Sequence, residues 1–309
     1  MTRALLITNP AAARTDARAV TAVREILRAG GWAVEVLATL GPRDGRRFAE
    51  EAREQGFDVL VCYGGDGTAM QIAAGIVGTG IPLGLVPGGT GNLLAGNLRL
   101  PRSPARAARA LLSARPAPID LGVVVRPDGP HYFAVASGAG FDARLMAGTA
   151  AAAKHRWKFG AYVARAIATL GDVRSAPYRI TVDGVPHEVR SAMLLVLNCG
   201  ELIPPFVRLG KDIAPDDGWL DVVALRADSL VESARAVIEA LRGTVNGTGS
   251  RVWRGRGRTI RVEIVSGAPD PVQLDGEPVG ETPFEARLLP GALTVLVDPA
   301  GGWKGSRRG

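Results

Sequence analysis

Nothing in this sequence is long and apolar enough to cross a bilayer: runs such as MLLVL at 193–197 fall well short of the roughly 18 to 20 residues a spanning helix needs. The N-terminus, MTRALLITNP, has neither an extended apolar core nor a small-residue cleavage site, so export is not expected and a cytoplasmic location is. Cysteine is nearly absent. Cys62 and Cys199 lie far apart, each within an apolar stretch, which predicts buried thiols rather than a disulfide framework. The three histidines, His131, His155 and His187, show no ligand spacing with the cysteines or with one another, which argues against a zinc site. Aromatic residues are scarce as well. The arginine-rich run RVWRGRGRTIR (251–261) contains only Trp253 as a stacking platform and matches no nucleic-acid-binding module, so nucleic acid is not an expected partner.

What is present is enough apolar residue, 47% of 309, to bury a sizeable core, and two domains are the natural expectation at this length. The formal charge of +7, the 251–261 run and the tail GWKGSRRG together make an electrostatic footprint for an anionic surface. Ordinary solvated faces account for such a composition equally well. Peripheral attachment to the inner membrane surface stays open, as does a homodimer.

Along the first third, strand and helix alternate. ALLIT (4–8), WAVEVLAT (32–39), FDVLVCY (57–63) and IPLGLVP (81–87) read as buried strands. Helices are expected from Asp16 to Gly30, over GRRFAEEARE, over TAMQIAAGIV after a glycine loop, and from Ser103-Pro104 through Leu112. Continuous apolar strands between helices predict a parallel sheet covered on both faces and ending near Ala117. From Ile119 the texture changes to paired strands: IDLGVVVR, HYFAVAS, YRITVDGVPHEVR, LDVVALRA, TIRVEIVS, VQLDGEPV and LTVLVDP. Asp183-Gly184 and Asp275-Gly276 carry the two-residue hairpin signature. Two helices are expected among these strands, near 154–170 and 229–242.

The chemistry concentrates in glycine loops. GGDGT (64–68) follows a strand and opens a helix, so its glycines allow close approach of a ligand and the helix start offers unpaired N–H groups to phosphate. PGGTGN (87–92) follows the next strand and ends at the same sheet edge, where ligands bind. Thr68, Thr90 and Asn92 can bond phosphate or ribose. There is no P-loop lysine motif and no dinucleotide fingerprint after the first strand. A bare anion nest has no use for a neighbouring carboxylate, so Asp66 points to a metal-bound nucleotide. In IAPDDGWLDVV (213–223), Asp216, Asp217 and Asp221 surround a glycine, and the residue types favour an ordinary turn. Glu277, after the LDGE hairpin turn, reads as either a base or a solvated strand-end residue.

Taken in order, GGDGT, PGGTGN, GAGFDA (138–143), IAPDDGWLD and LDGE resemble the diacylglycerol kinase and sphingosine kinase family, in particular its soluble bacterial lipid kinases. The likeness runs from NPAAA (9–13) to VLVDP (295–299). It implies an NAD-kinase-like α/β domain over 1–118 that binds ATP, a C-terminal antiparallel β-sandwich over 119–298 for the lipid substrate, and a mobile basic tail over 299–309, with the active cleft between the two domains. By matching motif, Asn9, Thr39, Gly64, Gly65, Asp66, Gly67, Thr68, Thr90 and Asn92 would surround the nucleotide. Asp217 would hold Mg2+ with the backbone carbonyls of Ala214 and Trp219, and Glu277 would accept the proton of the lipid hydroxyl. The sequence departs from the family at Met70-Gln71, at Leu93 and in NPAAA, where polar residues or glycine are common. An NAD kinase, or a catalytically weak nucleotide- or lipid-binding protein, are the competing readings. Apolar residues over 158–170 read either as core or as an acyl site.

Overall fold

The computed structural model describes residues 1–140, 175–204, 207–210, 212–229, 232, 235, 239, 250–303 and 305. The chain divides into two compact units, Met1–Leu121 with Ile203–Pro205 and Pro290–Gly309, and Gly122–Leu202 with Phe206–Leu289.

The first unit runs β1 (Arg3–Thr8), α1 (Ala17–Ala29), β2 (Ala33–Ala38), α2 (Asp44–Glu54), β3 (Val59–Gly64), α3 (Asp66–Ile76), β4 (Leu83–Pro87), α4 (Leu93–Asn97) and α5 (Pro104–Leu112), and then enters β5 (Arg115–Arg126). The first four strands pair in parallel in the order β2-β1-β3-β4. The apolar residues of β1, β3 and β4 are continuous because both faces are covered, whereas the edge strand β2 is only partly buried. Ala4 and Leu6 of β1 join a core with Val23 and Leu27 of α1 and Ala107, Ala108 and Leu111 of α5, while Leu5 and Ile7, pointing the other way, are buried too. Asp16 caps α1 by accepting the Ala19 N–H at 2.9 Å, and Gly30 ends it. Ser103 makes no such side-chain bond, and α5 starts on Pro104 alone. The strand order reverses at β1, since β2 lies on one side of it and β3 on the other. The carboxyl ends of β1 and β3 therefore flank a topological switch point, where parallel sheets bind ligands.

The second unit continues β5 into β6 (Gly129–Phe133), β7 (Ala136–Gly140), β8 (Ala176–Val182), β9 (Val185–Ser191), β10 (Met193–Leu197), β11 (Glu201–Ile203), β12 (Val207–Arg208), β13 (Leu220–Leu225), β14 (Val252–Gly257), β15 (Thr259–Ile264), β16 (Pro271–Leu274), β17 (Glu277–Glu281) and β18 (Phe284–Val297). One antiparallel sheet has the order β14-β13-β10-β7-β16-β17, and β15 pairs antiparallel with β8 and with the first part of β18 in the other. Leu194, Val196 and Val222 from the first sheet share a core with Tyr178, Ile180 and Val262 from the second, which makes the unit a β-sandwich. Both hairpin turns fall where expected, with φ of 46° and 86° at Asp183-Gly184 and 47° and 91° at Asp275-Gly276.

Two elements differ from the sequence expectation. HYFAVAS is two strands, β6 and β7, because the N–H groups of Ala134, Val135 and Ala136 converge on the Asp275 carboxylate at 2.7, 3.0 and 2.8 Å and turn the chain there. LTVLVDP, expected to close the sandwich, belongs to the first unit: β18 turns at Gly291 (φ 60°), whose N–H meets Asp120 at 2.7 Å, and Val295 pairs in parallel with Leu83 of β4. Cys62 and Cys199 are buried free thiols, as expected. The 154–170 helix with its acyl-site reading, His155, the end of GAGFDA and most of the 229–242 helix and the far tail lie outside the described residues. Among the described residues no helix is long and apolar enough to cross a membrane.

The Asp275 knot sets a stability prediction. Asp275→Ala leaves three main-chain donors without their acceptor and is expected to lower the free energy of unfolding by about 3 kcal/mol. Urea denaturation of the variant against the parent measures it, and a midpoint that does not move would show the knot to be dispensable.

Candidate active site

In the first unit, β3 and β4 deliver their glycine loops side by side. The Gly64 carbonyl accepts the N–H groups of both Gly88 (2.8 Å) and Gly89 (3.1 Å), so the loops are joined main chain to main chain. A Cβ on Gly89 would stand 2.6 Å from the Cα of Gly65, a distance only glycine permits. Asn9, directly after β1, closes the third side: its N–H meets the Tyr63 carbonyl at 3.2 Å and its Nδ2 donates to the Thr68 hydroxyl at 2.9 Å. The loop beyond it is tied down by Thr15, whose hydroxyl donates to the carbonyls of Asn9 and Ala12, and by Tyr63, whose hydroxyl donates to the Arg14 carbonyl. Thr68 is buried in the first turn of α3, beside Gly67, whereas Thr90 is exposed at the tip of the second loop. Thr39 directly follows β2, with its N–H on the Thr8 carbonyl at 2.8 Å.

Asp66 opens α3 rather than standing in the loop, and its carboxylate has a visible task. Oδ1 accepts the Leu94 N–H at 3.3 Å, so the side chain ties the first glycine loop to α4, which follows the second. Burial pushes this carboxyl above its ordinary range, against the N–H groups of Leu94, Leu93 and Asn92, which favour the ionised form. Asn92 is left-handed (φ 51°), and its amide is engaged inside its own loop, accepting from the Gly89 N–H at 2.9 Å and donating to the Gly89 carbonyl at 2.7 Å. Sequence reading offered Asn92 to phosphate or ribose; here the side chain shapes the loop. A small recess at this edge is walled by Gly64, Gly65, Asp66, Pro87, Asn92 and Leu94. Of the departures from the family pattern, Gln71 points toward α2, where its Cβ lies 3.0 Å from the position of a Cβ on Gly45.

In the second unit, the Asp217 turn is closed by its own bonds. Its carboxylate accepts the N–H groups of Ala214 (3.1 Å) and Trp219 (2.9 Å), and burial raises its pKa. One carboxylate with the neighbouring carbonyls of Ala214 and Trp219 is an all-oxygen donor set, which suits a hard divalent cation. Among the described residues no three His, Cys, Asp or Glu side chains are grouped to hold a metal by themselves. Next to the turn, the fully buried Asp221 accepts Arg254 Nε at 2.8 Å and Arg256 Nη2 at 2.9 Å, and Asp212 accepts both guanidinium groups. The hydrogen bond from Arg254 lowers the Asp212 pKa. Arg251 pairs with Glu232 and Glu239, Arg261 pairs with Glu263, and Arg258 lies over the Trp219 ring. Every arginine of the 251–261 run thus has an internal partner. Arg254 and Arg256 compensate the acidic turn, which composition alone did not reveal.

Glu277 is the first residue of β17, exposed, opposite Leu274 in the hairpin register. Asp275, two residues earlier, is the one that organises the hairpin. Sequence reasoning passed over Thr15, Tyr63 and Asp44, which hold the loops after β1 and β2. A signal existed for Asp44: an acid four residues after Leu40, where its Oδ2 accepts the Leu40 and Gly41 N–H groups at 2.8 and 2.9 Å.

Comparison with known proteins agrees with this geometry. The diacylglycerol kinase catalytic domain matches residues 3–124, and the YegS C-terminal NAD kinase beta sandwich-like domain matches residues 135–297. A probable lipid kinase YegS-like protein of Pseudomonas aeruginosa is 32% identical over 304 residues, covering 96% of this chain and 94% of the relative. A diacylglycerol kinase of Mycobacterium tuberculosis is 28% identical over 269 residues, 85% of either chain. The crystal structure of a diacylglycerol kinase from Bacillus anthracis superposes with a TM-score of 0.73 at 23% identity, over 96% of this chain and 97% of that one, a likeness of fold. With both domain matches in sequence order, and relatives aligned over nearly their full length, the chain belongs to the YegS-like lipid kinase family.

Proposed function

We propose that this kinase transfers the γ-phosphate of ATP to the hydroxyl of a membrane lipid of the diacylglycerol or sphingoid type. The observation that carries the reading is the main-chain contact between the Gly64-Gly65 and Gly88-Gly89 loops at the switch point. It leaves the start of α3 and the exposed Thr90–Gly91 tip clear of bulky side chains, and the N–H groups at a helix start suit phosphates. Asn9, Gly65, Gly67, Thr68 and Thr90 would line the nucleotide, with Thr39 at the end of the neighbouring strand.

In the transfer, the lipid oxygen bonds to the γ-phosphorus, the bond from that phosphorus to the departing ADP breaks, and the hydroxyl proton passes to the Glu277 carboxylate. Glu277 is exposed at the start of β17, where a substrate hydroxyl can reach it, while positioning and charge neutralisation supply most of the acceleration in such reactions. Asp217 with the carbonyls of Ala214 and Trp219 would hold Mg2+, which when bound supplies positive charge beside a half-buried carboxylate. Peripheral contact with an anionic inner membrane would bring the enzyme to its acceptor.

The deciding experiment is transfer from labelled ATP across a panel of diacylglycerol, monoacylglycerol, phosphatidylglycerol, ceramide and sphingosine with Mg2+. Phosphorylation of NAD in place of every lipid, or nucleotide binding without turnover, would overturn the proposal. Glu277→Gln is expected to reduce kcat about a hundredfold with little change in the KM for ATP. Unaltered kcat would remove the base. Asp66 carries a sharper prediction. A carboxyl whose folded pKa is raised loses stability as pH climbs from its unfolded value through its folded one, so the ionised group opposes folding at neutral pH. Asp66→Asn keeps the oxygen that accepts the Leu94 N–H, and is expected to melt no lower than the parent at pH 7 while losing transfer. A lower melting temperature with transfer intact would contradict both halves. Finally, Mg2+ is expected to raise the melting temperature of the parent but not of Asp217→Asn, and equal shifts in both would place the cation elsewhere.

A further inference from the structure

The turn after β2, Leu40–Arg43, is built in a way that the phosphate loops do not explain. Leu40 is 93% exposed, yet it is held firmly, because its N–H and that of Gly41 are both bonded to Asp44. Pro42 fixes another torsion, and Arg43 follows at φ 86°, a left-handed conformation uncommon outside glycine. A strained, clamped turn therefore keeps a large apolar side chain in water. Beside it the Arg43 guanidinium has no hydrogen-bond or ion-pair partner among the described residues, whereas Arg46 and Arg47 of α2 are paired with Glu50 and Glu51. Edge strand β2 brings a second exposed leucine, Leu37, close in sequence. The turn leaves the same carboxyl edge of the parallel sheet as the Asn9 loop and the two glycine loops.

We propose that the Leu40–Arg43 turn is where this unit rests on an anionic lipid surface, with Leu40 entering the boundary between headgroups and acyl chains and Arg43 pairing with a lipid phosphate. The inference builds on the lipid-kinase reading, since an acceptor held in a bilayer must be met at its surface. Size argues for a membrane over a protein partner. A stable protein interface buries about 800 Å2 on each side, which one protruding leucine does not offer, while a membrane is gripped by a few inserted and cationic side chains. The internally paired arginines of 251–261 are committed elsewhere, so an unpaired guanidinium in a protruding turn is better placed for this contact.

The test is co-sedimentation of the full chain with phosphatidylcholine vesicles, with and without phosphatidylglycerol. The parent is expected to bind the anionic vesicles and to be released by salt. Leu40→Ser is expected to weaken that binding about tenfold and Arg43→Gln about fivefold, with the melting temperature and the Kd for ATP unchanged. Equal binding by parent and Leu40→Ser, or no vesicle binding by the parent, would overturn the proposal. Weakened ATP binding in Leu40→Ser with vesicle binding intact would move the residue to the nucleotide site, and loss of a dimer in light scattering would move it to a contact between copies. Vesicle binding that depends on Leu40 in a chain that phosphorylates no lipid would sink the kinase reading and leave this one standing.

Discussion

A Cβ on Gly89 would stand 2.6 Å from the Cα of Gly65, and the ligand edge of the first unit is organised around that contact between two main chains. Because β3 and β4 are neighbours in parallel register, their loops emerge together, and the Gly64 carbonyl can serve both Gly88 and Gly89. Side chains are excluded where the two loops touch, so the spacing of this edge is set by the main chain rather than by rotamers. The remaining polar side chains act as fasteners. Asn92 closes its loop, Asp66 reaches α4, and Asn9 reaches Thr68. One of these fasteners, Asp66, is held partly against its own solvation, since burial raises its carboxyl pKa.

Charge is handled by a different device in the second unit. The acidic turn around Asp217 and the arginine run at 254–256 are distant in sequence but are brought together by the pairing of β13 with β14, in which Asp221 stands opposite Arg256. Two guanidinium groups then enclose a carboxylate from which water is fully excluded. Removing either partner would leave an uncompensated buried charge, so the two segments constrain each other. A net charge summed over the sequence counts these arginines as free surface charge, although they are spent on a buried carboxylate.

The fold was legible wherever one local pattern had one solution. Apolar strands alternating with helices left little choice but a parallel sheet covered by helices, and the Asp-Gly pairs marked both hairpins. The edge of that sheet was legible too, since two successive strands each ended in glycines. What stayed hidden were the long-range contacts. Nothing local in HYFAVAS announces that its middle turns onto Asp275, and the pairing of Asp221 with Arg254 and Arg256 depends on strand register. The tie between Asp66 and Leu94 of α4 was not legible either, because the two are 28 residues apart. Glu277 and Asp217 were recognisable only by likeness to a family, because an exposed strand-end acid and an Asp-Asp-Gly turn are common in any protein.

The final strand has a consequence for how such a chain is made. β18 begins in the sandwich and, beyond Gly291, lies against β4, so Leu293, Val295 and Leu296 supply part of the first unit's buried interior. A ribosome releases residues 1–121 long before it reaches 297, and through that interval the flank of β4 that β18 covers carries unsatisfied main-chain groups. The N-terminal part of the first unit is therefore an unfinished sheet during synthesis, closed only when the last strand arrives, and an isolated fragment of it would keep a sticky edge.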